Sequence, residues 1–392
     1  MKLKNTLKNL IKKNAFVQRI YRGIFSVFFR FVGLFVKTNN IVLFSSASGL
    51  SYGDSPKTLY EAIVKDPFFS KYVFYWAFEK PNSYQIKDAK IIKIDSFKYF
   101  IVALKSKVWI TSVNIERGLH FKKKKTIYIN TWHGTGPKYS GNKVAGRKDY
   151  DFSNVDIMCV DGWYLKKIMV EDHKALPEKC FVYGRPREDF LLNYAQEDIN
   201  SIKKELNLPL GKKILLMAPT WRETEKSQML FENSVMKFIQ LFRESLQSDY
   251  LVLFRSHVFS SPEKKVIFDD FFIDATGIND INKLYLISDI LVSDYSSVFF
   301  DFGLLKKPMF CYAPDYNEYI IERGMYIDLK KEFPGGVYEN EEKLVNDIKN
   351  MHEIEITTKC TQFISKYIDR PANSTTLVLN HLKSLLEMEK KL

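Results

Sequence analysis

The sequence predicts two doubly wound α/β domains facing each other across a cleft, preceded by a basic amphipathic segment. Three observations carry that reading. From residue 41 onward, short and nearly continuous apolar runs alternate with amphipathic stretches, the pattern of a parallel sheet covered on both faces by helices. The series halts at NLPLGKK (207–213) and starts again, so the 392 residues divide into two units, in line with about two or three domains for such a length. The first 53 residues hold nine Lys/Arg and no Asp or Glu, which sets them apart from the body. With 46% hydrophobic and 15% aromatic residues, the chain can bury a large core and is neither disordered nor fibrous.

Residues 1–38 form the attachment. The stretch AFVQRIYRGIFSVFFRFVGLFVK (15–37) is interrupted by Arg19, Arg22 and Arg30. No uncharged run of about 18–20 residues therefore exists to cross a bilayer, and the arginines also break up any signal-peptide core. On a helix at ~100° per residue, Lys12, Arg19, Arg22, Ser26, Arg30 and Lys37 share one stripe. Phe16, Val17, Ile20, Ile24, Val27, Phe28 and Phe31 cover the opposite surface. A basic stripe beside a Phe-rich face fits a helix lying among anionic lipid headgroups. The competing reading is a helix packed on the body with its arginines in water. Because nine of the thirteen net positive charges lie here, the body is not evenly basic and no nucleic-acid partner is expected.

The first α/β unit spans 39–206. IVLFSS (41–46) reads as a strand, followed by a helix with Ser55 as its cap and Pro56 in its first turn. YVFYWAF (72–78), KIIKI (90–94), KVWITS (107–112), TIYIN (126–130) and DIMCVD (156–161) are further strands, with SFKYFIVALK and GWYLKKIMVEDHK as helices. TIYIN runs into NTWHGTGPK. Here a strand end presents Thr131, Trp132 and His133, and Gly134 and Gly136 allow the backbone to come close to a ligand. Thr135 and Lys138 complete the motif. Histidine is the side chain suited to take a proton near neutral pH; the alternative is a structural histidine beside a loop. VYGRPRED places Arg185 and Arg187 around Pro186, and Lys122–Lys125 reads as a solvated turn.

The second unit spans 207–370, and a C-terminal helix occupies 371–392. KILLMAPT ends in Thr220, Trp221 and Arg222, and SVMKFIQLFRESL is a helix. YLVLFRS then presents Arg255, whose fork matches phosphate oxygens, with Ser256 and His257 beyond it. After the helix INKLYLISD, the strand DILVSD stops before Ser296 and Ser297 at the start of the helical SSVFFDFGLL. Two hydroxyls, free backbone N–H groups and a helix dipole together make an anion site there; a plain helix cap is the alternative. PMFCYA is a further strand. No GxxxxGKS or GxGxxG loop is present. Cys159, Cys180, Cys311 and Cys360 are widely spaced, as expected of reduced thiols rather than a disulfide framework or zinc site.

Taken in order, TWHGTGPK, GRPRED, APTWRE, FRSH, INKLYLISDILVSDYSSVFFDF and KKPMFCY, then RGMYID and PGG, resemble the CDP-glycerol:glycerophosphotransferase family. Its members prime and polymerise teichoic acids and related phosphopolyol capsules. The resemblance runs from about residue 41 to about residue 370. It implies the two-Rossmann-domain plan of GT-B glycosyltransferases. It also implies His133 as catalytic base, His257 as a second essential histidine at the donor phosphates, Ser296 and Ser297 as part of a pyrophosphate cradle, and Asp301 as its organiser. Arg255 joins the donor-phosphate set; Thr135, Lys138, Arg185 and Arg222 are supporting residues. Two departures stand out. WHGTGPK replaces the family's more usual WHGTPLK, and Arg255, Ser256 and Val258 surround His257 where the family more often has Leu, Met or Lys before it and a proline after it.

The resemblance further implies transfer of a polyol phosphate from CDP-glycerol or CDP-ribitol to a hydroxyl of a lipid-linked saccharide or polyol-phosphate acceptor, releasing CMP. The expected setting is the cytoplasmic face of the membrane, held peripherally through the N-terminal helix. No resident metal or cofactor is expected, and any Mg²⁺ would arrive with the nucleotide. The alternatives weighed are a nucleotide-sugar glycosyltransferase of the same fold and a non-catalytic membrane scaffold.

Overall fold

The computed structural model describes residues 15–220, 222, 224–256, 268–369 and 373–391. Its first sheet contains β1 (Asn39–Ser45), β2 (Val73–Phe78), β3 (Ala89–Lys93), β4 (Ser106–Thr111), β5 (Ile127–Asn130), β6 (Ile157–Val160) and β7 (Cys180–Val182). Its second contains β8 (Lys213–Met217), β9 (Tyr250–Phe254), β10 (Phe272–Asp274), β11 (Ile290–Ser293), β12 (Met309–Tyr312) and β13 (Val337–Tyr338). The strand orders are β3-β2-β1-β4-β5-β6-β7 and β10-β9-β8-β11-β12-β13, and every pairing is parallel. In each sheet the order reverses between the first and fourth strands. In such sheets ligands bind at that crevice, beyond the strands' carboxyl ends.

The strands β7, β10 and β13 escape the sequence reading because two or three residues carry no period. Gly53, rather than Ser55, caps the helix Asp54–Ile63; Ser55 is buried, and its hydroxyl accepts from the Arg187 backbone N–H at 3.3 Å. The long helix expected from residue 234 begins earlier, at Glu225, where the Thr224 hydroxyl accepts from the Ser227 N–H. All four cysteines are buried free thiols.

Each sheet packs an apolar cluster of its own on one face, and the two share a third, which runs from Phe29 through Trp109, Tyr128 and Trp132 to Phe299, Phe300 and Tyr367 in the second unit. The C-terminal helix Ser374–Lys391 crosses back onto the first sheet. Val378, Leu382 and Leu386 pack there among Trp76 and Ile110, and Lys107 meets Glu389 at 2.6 Å. Each fully buried leucine contributes ~1.5–3 kcal/mol, so this helix ties the chain's end to its beginning.

The N-terminal helix Ala15–Phe35 docks on the body along one edge of its basic stripe, while Arg19, Arg30 and Lys37 stay exposed and Lys12 lies outside the described residues. Arg22 pairs with Asp149 at 3.1 Å, Ser26 Oγ accepts from the His120 N–H at 3.0 Å, and Arg30 Nε donates to the His120 carbonyl at 2.6 Å. Phe29, only 4% exposed, stacks on Phe100 with centroids 4.5 Å apart. The segment around His120 offers the polar partners that this edge needs, so the helix docks through it. The apolar face points away from the body: Ile24, Val27 and Phe31 are 62%, 65% and 59% exposed. No helix among the described residues is long and apolar enough to cross a membrane.

Candidate active site

The turn after β5 is fixed before it reaches the histidine. Asn130 donates from Nδ2 to the Val113 carbonyl and accepts from the Trp132 N–H, both at 2.9 Å. Trp132 takes a left-handed conformation at φ 52° and is buried, with its ring 4.8 Å from that of the buried His173. His133 therefore emerges at the carboxyl end of the sheet beside the end of β4. Its Nδ1 lies 3.0 Å from the Ser112 carbonyl. A carbonyl can only accept, so Nδ1 carries the proton and Nε2 keeps its lone pair.

The imidazole edge is open to the cleft while both domains crowd around it. Loss of hydration there lowers its pKa below the ordinary value of 6.5, opposed by the Ser112 carbonyl and Asp54 and reinforced by Arg187 and Arg185. His133 is thus neutral at pH 7 with a basic nitrogen available.

His133 lines a cavity of about 560 Å³ between the domains. Gly134, Gly136 and Lys138 lie on its first-domain side, with Thr220, Ser296 and Ser297 opposite. Its described lining holds no aspartate or glutamate. The glycines act as expected, although what comes close is the other domain. A Cβ on Gly134 would lie 2.8 Å from Ser297 Oγ and 2.9 Å from its Cβ. Below this contact the chain pairs across the interface. The Tyr139 N–H donates to the Gly324 carbonyl at 3.1 Å and the Tyr326 N–H to the Pro137 carbonyl at 2.7 Å. Lys138 donates to the Tyr319 hydroxyl at 3.3 Å.

Several of the expected supporting residues are parts of a buried frame. Arg185 is wholly buried, held by Asp161 at 3.0 Å, by Asp301 at 2.9 Å and by Glu188. Arg187 meets Asp54 at 3.0 Å and Asp301 at 2.6 Å. Thr135 is buried and donates to the Asp161 carboxylate at 2.7 Å. Burial raises the Glu188 pKa to about 7, against the pull of Arg185 and with Asp301 and Asp161 adding to it. Arg185 and Thr135 are engaged by these partners, and Asp301 bridges the two domains. Arg222 is likewise enclosed: it meets Asp294 at 2.7 Å and Asp315 at 2.6 Å, with its guanidinium 3.8 Å from the Phe231 ring centroid.

Arg255 stands half-buried at the end of β9, donating to the Ile278 carbonyl, and is not among the described residues lining the cavity. His257 lies outside the described residues. Ser296 and Ser297 do line the cleft, but the helix they precede, Val298–Phe302, has five residues. So short a helix has little macrodipole, since that field sums over aligned peptides, and the hydroxyls and loop N–H groups carry what anion affinity there is. Arg147, Tyr319 and Arg323 also line the cavity. The sequence reading gave them no role, although Arg323 opens RGMYID, because they sit in irregular chain or on a short helix, away from any strand end. Among the described residues no group of three or more His, Cys, Asp or Glu could hold a metal ion.

A family model described as CDP-Glycerol:Poly(glycerophosphate) glycerophosphotransferase matches residues 26–380. The teichoic acid glycerol-phosphate transferase of Staphylococcus aureus (strain NCTC 8325 / PS 47) is 33% identical over 372 residues, covering 90% of this chain and 91% of that protein. The teichoic acid poly(glycerol phosphate) polymerase of Staphylococcus epidermidis is 33% identical over 82% of this chain, which spans 46% of its length. A variant of the wall teichoic acid polymerase TagF matches with a TM-score of 0.81 at 27% identity, covering 95% of this chain and 99% of that one. A TagF variant soaked with CDPG matches with a TM-score of 0.78 at 26% identity, covering 95% and 98%.

The Gly134–Ser297 contact makes a specific prediction. Gly134→Ala forces Ser297 away and lowers turnover about 100-fold, the order of loss for a misplacement near 1 Å. Adding Ser297→Gly removes the colliding atoms and restores part of the rate. Steady-state kinetics of the single and double variants check this; equal rates in Gly134→Ala and wild type would contradict it.

Proposed function

Since the chain belongs to the CDP-glycerol:poly(glycerophosphate) glycerophosphotransferase family, we propose that this cleft transfers glycerol phosphate from CDP-glycerol to an acceptor hydroxyl in teichoic acid synthesis, releasing CMP. The observation that carries the reading is His133. Its Nδ1 proton is committed to the Ser112 carbonyl, and its Nε2 is left basic in a cleft whose described lining holds no carboxylate. A hydroxyl is a weak nucleophile, and Nε2 takes its proton as the oxygen attacks the phosphorus that bears glycerol. The new P–O bond forms as the bridging P–O bond to CMP breaks, and CMP departs with the bonding pair.

Charge grows on the phosphoryl oxygens and on the leaving phosphate. Lys138 and the hydroxyls of Ser296 and Ser297 face that space, where fixed donors stabilise developing charge most effectively. Arg255 and His257 extend the donor side in this reading. No resident cofactor is required, and Mg²⁺ would enter with the nucleotide. CDP-ribitol is the competing donor.

The outward apolar face of the N-terminal helix supports a membrane-held enzyme working on a lipid-linked saccharide or polyol-phosphate acceptor at the cytoplasmic surface. Side chains such as Ile24, Val27, Phe28 and Phe31 can sink into the headgroup boundary without unpacking the helix from the body.

Transfer of label from CDP-[¹⁴C]glycerol into a lipid-linked acceptor on vesicles tests the reaction. His133→Ala is expected to lower it ~10²–10⁴-fold, the usual worth of a general base. In the wild type, protonation of His133 shuts the reaction off, so the acid limb of kcat/KM lies below 6.5, where loss of hydration places this imidazole. Transfer from CDP-ribitol alone would reassign the donor, and an unaltered rate in His133→Ala would remove the base. Phe28→Asp with Phe31→Asp is expected to abolish sedimentation with anionic vesicles while leaving the fold intact by circular dichroism; undiminished vesicle binding would rule out this face as the anchor.

A further inference from the structure

The loop that carries His133 is pinned residue by residue. The Thr135 hydroxyl donates to Asp161 at 2.7 Å, and the Pro137 carbonyl accepts from the Tyr326 N–H at 2.7 Å. Between them, Gly136 has no side chain with which to anchor itself. Its carbonyl accepts instead from the Tyr164 hydroxyl at 2.9 Å. Tyr164 stands in the first turn of the helix Trp163–His173, whose Leu165 and Ile168 line the same cavity as His133.

Gly136 is where the loop most needs a hold from outside. A Cβ there would lie 3.7 Å from the Ser297 Cβ, an ordinary contact, and its backbone is not left-handed. Neither space nor strain demands this glycine, and what it brings is freedom of rotation. Gly134 and Gly136 both face Ser297, so drift at Gly136 changes the width of the cleft beside His133.

Tyr164 also reaches the opposite wall. Its ring lies nearly parallel to that of Phe300, at 13° with centroids 6.5 Å apart. The Phe300 N–H in turn donates to the Ser297 carbonyl at 3.0 Å. One side chain thus holds the glycine with its oxygen and meets the serine helix with its ring. Tyr164 is buried, and burial pushes its pKa above the ordinary value of 10. The hydroxyl therefore keeps its proton, and donates it, at every working pH.

Resting on the transfer reading above, we infer that Tyr164 is a positioning residue that sets the spacing between the histidine loop and Ser297. It is not among the described residues lining the cavity and acts through Gly136. The width it fixes decides how closely the donor phosphorus lies to the hydroxyl that His133 deprotonates. Such a constraint is felt in the transition state, and so in kcat rather than in KM.

Tyr164→Phe removes one oxygen and leaves the ring on Phe300. With CDP-glycerol and a lipid-linked acceptor on vesicles, kcat is expected to fall about tenfold, part of the ~100-fold loss that goes with a 1 Å misplacement. KM for CDP-glycerol and the acid limb of kcat/KM should stay as in wild type, since the His133–Ser112 contact is untouched. Adding Gly136→Ala narrows the rotation of the loop and should recover part of the rate. A merely structural tyrosine would lower the melting temperature and leave kcat where it was. An unchanged kcat, a raised KM in its place or a displaced acid limb would overturn the assignment. Crystal structures of Tyr164→Phe and wild type read the clamp without substrate: Gly136 displaced relative to Ser297 supports it, and Gly136 unmoved overturns it. That displacement in a protein that turns over no CDP-glycerol would sink the transfer reading and leave the positioning role standing.

Discussion

Asp301 is the point on which the active cleft depends. One carboxylate of the second domain meets two arginines of the first, Arg185 and Arg187, in a place closed to water. Desolvating such charges costs several kcal/mol each, and removing one partner of a buried pair typically costs about 3–5 kcal/mol because the other is stranded. An arrangement of this kind favours one geometry over many. Asp301 lies on the short helix that follows Ser297, so the same contact that joins the domains sets Ser297 against Gly134. His133, one residue earlier, then faces a wall at fixed distance. The Pro137–Tyr139 pairing with Gly324 and Tyr326 adds a second seam below the first. The two sheets also share an apolar cluster, so the cleft is not an opening between two loosely hinged bodies.

The N-terminal helix obeys a related constraint. Arg22, Arg30 and Ser26 are used to dock it, since the chain around His120 offers a carbonyl, an N–H and a nearby Asp149. Satisfying those polar groups turns the aromatic face outward. Water is a poor neighbour for so much apolar surface, whereas a bilayer boundary is a good one. The exposed apolar face, with Arg19, Arg30 and Lys37 also exposed, is the feature on which the proposed membrane association rests. The docking also sets the helix beside the loop that carries Arg147.

Much of the plan was legible in the sequence because parallel strands buried on both faces leave long apolar runs, and because each strand end announced itself by polar residues. His133, Gly134, Ser296 and Ser297 were found that way, and all line the cleft. Arg185, Arg222 and Thr135, expected as supporting residues, and Asp301, expected to organise the cradle, prove to be held in buried ion pairs and hydrogen bonds. In sequence, an arginine at a strand end looks the same whether it faces a phosphate or a buried carboxylate. Asp161 and Asp301 are 140 residues apart in the chain, and only the fold shows that both reach Arg185. Arg147 gave no signal, since it neither ends a strand nor belongs to a periodic run, and Arg323 was legible only as the first residue of RGMYID, with no role attached.

The central claim is that the bond broken lies between the two phosphorus atoms of the donor. Phosphorus-31 NMR of the products from CDP-glycerol and a lipid-linked acceptor, followed with the purified enzyme on vesicles, tests it directly. The account predicts CMP in step with a new phosphodiester resonance on the acceptor. Release of CDP, with no phosphorus transferred, would mean that the carbon–oxygen bond of the donor breaks instead and would contradict it.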